Sequence, residues 1–118
     1  MRIIIAGSST WENSSSIRAV LESYPDSTTV VHGDSPGADE IGGQVAEDLG
    51  MKVEPMSKIQ DDYRRYRRGA WKALNERMIE KGADLILAFH PDIEKSRGTK
   101  HLLKLADSAG IPYEIIAE

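Results

Sequence analysis

The stretch "VVHGDSPGADE", Val30 to Glu40, joins an apolar β-branched run to a turn rich in glycine and acidic residues. β-Branched residues favour strands, whereas glycine and proline favour turns. Beyond the turn, Ile41, Val45 and Leu49 recur at the spacing of one helix face. The stretch therefore predicts a strand that is followed directly by a helix, which is the first half of a βαβ unit.

The same alternation extends over the whole chain. Short apolar runs predict strands at 2–6, 28–32, 52–56, 84–89 and 113–117, and amphipathic segments predict helices at 14–24, 38–50, 63–82 and 99–110. Helical crossovers favour parallel strands because each helix covers one face of the sheet. The first and fourth strands are almost entirely apolar, as buried central strands are, and the third carries proline and charges like an edge. We expect one domain over residues 1–118 with an α/β fold, a Rossmann-like three-layer sandwich around a parallel five-stranded sheet in the order 3-2-1-4-5.

Composition narrows the class of protein. The chain has 118 residues, 40% of them hydrophobic and 29% charged, with a net charge of -4, which is typical of a globular domain. The absence of cysteine excludes disulfides, thiolate metal sites and cysteine nucleophiles. No spacing of His, Asp and Glu indicates a protein metal site, although a nucleotide-bound magnesium ion is compatible with the sequence. The apolar N-terminus is too short for a signal peptide or a membrane span, so we expect a cytoplasmic protein with no membrane partner.

Three glycine-bearing turns are predicted at one edge of the sheet. They are "GSSTW" (Gly7–Trp11), "GDSPGAD" (Gly33–Asp39) and "SRGT" (Ser96–Thr99), and each follows a predicted strand. In open parallel sheets, ligands bind beyond the carboxyl ends of the strands where the strand order reverses. Glycine allows close approach to the backbone, and a helix N-terminus attracts anions. The turns therefore predict a crevice for an anionic ligand.

The chain resembles the YspA-type SLOG family in five successive motifs. The family patterns GSRxW, HGGAxGAD, RNxxM, AF and SxGT match Gly7–Trp11, His32–Asp39, Asn75 with Met78, Ala88–Phe89 and Ser96–Thr99, and the resemblance covers nearly the whole chain. The superfamily, which also includes DprA proteins and LOG phosphoribohydrolases, has a Rossmann-like fold and is associated with nucleotides. The resemblance implies a nucleotide-derived small-molecule ligand. The candidate ligand-binding residues are Gly7, Ser8, Ser9, Gly33, Asp34, Gly37, Asp39, Asn75, Ser96, Arg97, Gly98 and Thr99.

The chain also departs from this pattern. Ser9 and Asp34 replace an arginine and a glycine of the family motifs. Leu74 and Leu102 stand where LOG enzymes carry an arginine and a glutamate. Leucine neither stabilises an oxocarbenium-like centre nor activates water, so we predict no LOG-type phosphoribohydrolase activity. Whether the chain catalyses any reaction stays open: it is a sensor, a sequestering protein or an enzyme of another kind. An N-glycosidase or other hydrolase using Asp34, Asp39 or His32 is the first alternative.

Several side chains have two interpretations. Ser8 and Thr99 offer hydroxyl groups to a phosphate, although Thr99 is also placed to cap a helix. Asp39 is placed to bind a ribose hydroxyl, and Arg97 to contact the ligand. For His32 and Trp71 a structural role is the stronger interpretation, while Trp11 is open between base stacking and the core.

Residues 64–81 contain seven basic side chains and two acidic ones. Around the start of this segment, "YRRYRR" (Tyr63–Arg68) alternates aromatic residues with pairs of arginines. This pattern suits the binding of single-stranded nucleic acid. A solvated helix face or a homo-oligomer contact explains the pattern equally well. The acidic remainder of the chain makes nucleic acid the less favoured partner.

Overall fold

A computed structural model describes all 118 residues, with five strands in one sheet. The strands are β1 (Arg2–Gly7), β2 (Thr29–His32), β3 (Lys52–Pro55), β4 (Leu85–Phe89) and β5 (Tyr113–Ile116). All four neighbouring pairs are parallel, and the strand order is β3-β2-β1-β4-β5. The predicted fold class and strand order are confirmed. The order reverses between β1 and β4, which creates a switch point at their carboxyl ends.

Helices cover both faces of the sheet. They are α1 (Ser14–Leu21), α2 (Ala38–Asp48), α3 (Gln60–Tyr66), α4 (Ala70–Lys81) and α5 (Gly98–Ala109), with 3-10 turns at Arg67–Gly69 and Ile93–Lys95. None of these helices is both long and apolar enough to cross a membrane.

The pleat of β1 divides the apolar side chains between two cores. Ile3 and Ile5 pack with the apolar residues of α1 and α2, whereas Ile4 and Ala6 pack with those of α4 and α5. Successive residues of a strand point to opposite faces, and the three isoleucines are completely buried. This double burial explains why the strand has no polar alternation.

The predicted helix over 63–82 is wrong in one respect, since the structure divides it into α3, a 3-10 turn and α4. Arg67 has a φ of 54°, in the left-handed region that an α-helix cannot include. α3 begins at Gln60, three residues before the predicted start of the helix at residue 63. Asp62 caps its first turn, because Oδ2 accepts a hydrogen bond from the Ile59 backbone N–H at 2.9 Å.

Candidate functional site

A cavity of about 90 Å³ lies at the carboxyl ends of the central strands, on the side of the sheet covered by α4 and α5. The end of β1, the β2–α2 turn, the first turn of α2, and α4 and α5 all contribute to its wall. Its lining residues are Ile5, Ala6, Gly7, Gly33, Asp34, Ser35, Asp39, Lys58, Trp71, Leu74, Asn75, Met78, Gly98, Thr99 and Leu102. The cavity therefore lies where the strand order predicts a ligand.

Seven of the twelve predicted ligand-binding residues line this cavity: Gly7, Gly33, Asp34, Asp39, Asn75, Gly98 and Thr99. The other five, Ser8, Ser9, Gly37, Ser96 and Arg97, lie outside its wall. The three predicted turns do converge on one edge, but only part of each faces the enclosed space.

Ser8 and Gly37 are engaged with each other rather than with the cavity. The Ser8 carbonyl oxygen accepts hydrogen bonds from the backbone N–H groups of Ala38, at 3.0 Å, and Trp11, at 3.2 Å. A side chain on Gly37, which has a φ of 77°, would collide with the Ser8 and Ser9 backbone. The loop after β1 thus occupies the N-terminus of α2, where the sequence predicted an anion. Glycine is required at position 37 by this contact between two chain segments.

Ser96 caps the N-terminus of α5. Its Oγ accepts a hydrogen bond from the Thr99 backbone N–H at 3.0 Å, so Ser96 rather than Thr99 supplies the capping oxygen. Thr99 is instead buried, with 6% of its surface exposed, and its hydroxyl group makes no hydrogen bond within the protein. Arg97 is exposed to solvent beside the cavity.

Asp39 is the most perturbed titratable group of the cavity. The residue is 8% exposed, and its Oδ2 accepts one long hydrogen bond, 3.4 Å, from the Ser35 backbone N–H. Burial raises the pKa of its carboxyl group from 3.8 to about 7; the negative charge of Asp34 adds to this shift, and the Ser35 N–H opposes it. Near neutral pH the group therefore exchanges between a proton donor and a proton acceptor.

Asp34 forms an ion pair with Lys58 at the rim of the cavity. Lys58 Nζ lies 2.7 Å from Asp34 Oδ1, and the Lys58 backbone N–H donates to Oδ2 at 2.9 Å. Partial burial would raise the pKa of Asp34, but the hydrogen bonds and charge of Lys58 outweigh it, and the net pKa is lowered. Lys58, which the sequence analysis missed, is the only basic residue of the cavity wall, and Asp34 balances its charge.

Asn75 lies in the cavity wall and is 8% exposed, so it is not an exposed polar residue of α4. Its Nδ2 donates to the Gly98 carbonyl oxygen and to His101 Nδ1, both at 3.1 Å. These bonds place the amide between α4 and α5. They leave Oδ1 without a hydrogen bond from the protein, as an acceptor at the cavity.

The aromatic candidates fall into two groups. Trp11 belongs to the core, with its ring centroid 5.7 Å from that of Phe89 and its Nε1–H donating to the Asn13 carbonyl oxygen at 2.9 Å. His32 Nδ1 lies 2.8 Å from the Gly33 carbonyl oxygen, which supports the structural role. Trp71, by contrast, lines the cavity, and its ring packs edge-on against His101 at 5.3 Å.

Leu74 and Leu102 are both part of the cavity wall, and they are 4% and 1% exposed. The two positions at which the resemblance implies charged catalytic groups therefore do face the candidate site. With Ala6 and Met78 they make one side of the cavity apolar. No group of three or more His, Asp or Glu side chains is placed to hold a metal ion.

Most charges of the basic segment have partners within the protein. Arg64 pairs with Asp61 at 2.8 Å, and Arg65 with Glu76 at 3.3 Å. Tyr66 donates its hydroxyl hydrogen to Glu76 Oε2 at 2.8 Å. Within "YRRYRR", only Arg67 and Arg68 lack an acidic partner. The platform of stacked aromatic rings and free arginines that single strands require is therefore incomplete.

A scan of protein-family models finds no match to this chain, and a search of curated proteins finds no significant relative. The resemblance to the SLOG family thus depends on the motifs alone.

Proposed function

We propose that this chain binds a nucleotide-derived small molecule, with part of the ligand enclosed in the cavity. The observation that carries the proposal is the convergence of Asp39, Asn75 and Thr99 on a cavity with one apolar side at the switch point of the sheet. Ligand sites of α/β proteins combine these features: an apolar wall, a few polar groups and a perturbed pKa. The motif resemblance to the SLOG family supports the same ligand class.

The polar groups favour a ligand portion that donates hydrogen bonds. Asp39 Oδ1, Asn75 Oδ1 and the Thr99 hydroxyl oxygen have no hydrogen bonds within the protein, and each can accept one from a ligand. Ribose hydroxyl groups and ring or amino N–H groups of a base are suitable donors. At about 90 Å³, the cavity is smaller than a pocket that encloses a drug-sized ligand, which has roughly 300 to 1,000 Å³. It encloses one ring of a nucleotide, and the remainder lies outside.

Titration calorimetry with AMP, ADP and ADP-ribose, each with and without magnesium, tests the proposal. Asp39→Asn removes the ionisable group, and we expect at least a tenfold loss of affinity, which is about 1.4 kcal/mol. Asp48→Asn is the matched control, because Asp48 ends the same helix and is exposed. Absence of binding at millimolar concentrations, with the circular dichroism spectrum of a folded protein, would refute the proposal.

A second candidate function, nucleotide hydrolysis at the N-glycosidic bond, depends on Asp39. Of the three alternative catalytic residues, Asp34 is held by Lys58 and His32 by Gly33. Asp39 alone combines a place in the cavity with a pKa of about 7, which suits a general acid or base at neutral pH. Chromatography of free bases after incubation with nucleoside monophosphates tests this candidate. Base release that Asp39→Asn abolishes would support it, and no release by the wild-type protein would eliminate it.

A further inference from the structure

A basic groove of about 390 Å³ lies beside the cavity, between the start of α4 and the first turns of α5. Its wall carries five basic side chains and one acidic side chain. The residues of the basic groove are Trp71, Lys72, Glu94, Lys95, Ser96, Arg97, Lys100, His101 and Lys104. Trp71 also lines the cavity, so the basic groove and the cavity adjoin at this residue.

Three cations of the basic groove have no acidic partner: Lys72, Arg97 and Lys104. Lys100 pairs with Glu94 at 2.7 Å, and Lys95 has only a long 3.8 Å pair with Asp92. This local excess of positive charge occurs in a chain whose net charge is -4. A concave surface lined by one sign of charge concentrates ions of the opposite sign.

The cavity has the opposite electrostatic character. Its single cation, Lys58, is balanced by Asp34, and Asp39 adds a negative charge whenever it is ionised. A phosphate group inside the cavity would meet this carboxylate in a poorly solvated space, which is unfavourable. The two neighbouring spaces therefore select different chemical groups.

His101 lines the basic groove and is hydrogen-bonded to Asn75, which lines the cavity. Its Nδ1 accepts the hydrogen bond from Asn75 Nδ2 at 3.1 Å, so in the neutral ring the proton resides on Nε2, which is a donor. Burial lowers the pKa of His101, which favours the neutral imidazole. A neutral N–H donor among unpaired cations suits phosphate oxygens.

We propose that the basic groove is the phosphate subsite of the ligand: the uncharged ring lies in the cavity, and the phosphate groups pass Trp71 to reach Lys72, Arg97 and Lys104. This inference depends on the proposed function and gives the ligand an orientation. It also accounts for the position of Arg97 outside the cavity wall.

Inorganic pyrophosphate, adenosine and AMP are the probes for a calorimetric test. The triple variant Lys72→Ala/Arg97→Ala/Lys104→Ala removes the three free charges of the basic groove. The control triple Lys52→Ala/Arg67→Ala/Arg68→Ala removes three exposed cations that lie elsewhere and have no acidic partner. We expect the groove triple to bind pyrophosphate and AMP at least tenfold more weakly and adenosine unchanged. The control triple should match the wild-type protein, and added salt should weaken pyrophosphate binding.

The remaining outcomes distinguish a failure of the phosphate subsite from a failure of the proposed function. If AMP binds both triples with wild-type affinity, the proposed function stands and the phosphate subsite is elsewhere. If pyrophosphate binding depends on the basic groove but no nucleoside or nucleotide binds, the anion site stands and the proposed function fails. Equal losses in the two triples, or no pyrophosphate binding by the wild-type protein at millimolar concentration, would overturn the inference.

Discussion

The carboxylate of Asp39 and the backbone N–H of Ser35 are joined by a hydrogen bond of 3.4 Å, four residues apart across the N-terminal turn of α2. This one weak bond does not compensate for the burial of the carboxyl group, whose pKa rises from 3.8 to about 7. Between these pH values the folded protein binds more protons than the unfolded chain. The Asp39 contribution to the free energy of unfolding therefore decreases as the pH rises from about 4 to about 7.

We predict that Asp39→Asn stabilises the protein at alkaline pH. Asparagine has nearly the same shape and no charge to bury. A shift from 3.8 to about 7 corresponds to about 4 kcal/mol at 1.36 kcal/mol per pKa unit, so the gain approaches this size near pH 8 and vanishes near pH 4. Urea denaturation at both pH values measures it, with Asp48→Asn as the control. A variant that is less stable than the wild-type protein near pH 8 would contradict the burial argument.

A second prediction concerns the buried ion pair that holds α3 against α4. Arg77 Nη2 lies 2.6 Å from Asp62 Oδ2, and the Asp62 side chain is 3% exposed. Arg77→Ala leaves this carboxylate without its cation; because Arg77 itself is partly solvated, we expect a loss of about 2 to 3 kcal/mol. Arg64→Ala, which breaks the exposed pair with Asp61, should cost less than about 0.5 kcal/mol.

The pH dependence of this pair has the opposite sign to that of Asp39. The hydrogen bonds from Arg77 lower the pKa of Asp62, so the contribution of the pair is complete above the ordinary aspartate range and is lost as the pH falls through the lowered pKa. In strong acid, the free energies of unfolding of the Arg77→Ala variant and the wild-type protein should therefore become similar. Denaturation curves for both proteins across the acid range measure this, and a difference independent of pH would contradict the assignment.

Much of the fold follows from local sequence. The uninterrupted apolar runs of β1 and β4 identify the centre of the sheet, and Gly82 and Gly110 stop their helices with φ values of 88° and 73°. The break between α3 and α4 could not be predicted in this way. It depends on Arg67 adopting a positive φ and on Asp62 pairing with Arg77, fifteen residues away along the chain.

The site was predicted in outline and not in detail. Strand ends placed Gly33, Asp39 and Gly98 at the cavity, because the position of a strand end fixes the edge of the sheet it faces. Gly37 was predicted to contact the ligand, but it contacts the Ser8 and Ser9 backbone instead. The sequence cannot distinguish these cases, because glycine allows both a ligand and another chain segment to approach the backbone closely. Lys58 was missed because it follows an edge strand, and only its long-range pair with Asp34 brings it to the cavity.

The third prediction is that the protein has no LOG-type phosphoribohydrolase activity, the release of ribose 5-phosphate from AMP. Leu74 and Leu102 face the cavity at the positions where the SLOG resemblance implies the arginine and glutamate of a LOG enzyme. Neither side chain stabilises positive charge at the anomeric carbon or activates water. Chromatographic measurement of ribose 5-phosphate over many enzyme equivalents checks this. Sustained turnover would show that another residue, with Asp39 the first to test, performs the chemistry.

The last prediction concerns Gly98, the first residue of α5, which lines the cavity and whose carbonyl oxygen accepts a hydrogen bond from Asn75. Its φ is not in the positive range, and a Cβ atom built on it has no neighbouring atom within 4 Å. Neither backbone strain nor crowding therefore requires glycine here. Because alanine has the higher helix propensity, by up to about 1 kcal/mol, Gly98→Ala should keep or raise the melting temperature.

If the ligand contacts the backbone at Gly98, the added methyl group occupies its space. We expect Gly98→Ala to bind AMP at least tenfold more weakly, or by about 1.4 kcal/mol. Gly69→Ala is the matched control, since Gly69 lies outside the cavity and its added Cβ would make ordinary contacts from 3.5 Å. Calorimetry measures the AMP affinity of both variants, and thermal unfolding measures their stability. Together they distinguish a ligand contact at Gly98 from a role of this glycine in the fold. Unchanged AMP affinity would remove Gly98 from the site, and a lowered melting temperature would mean that glycine stabilises the fold here.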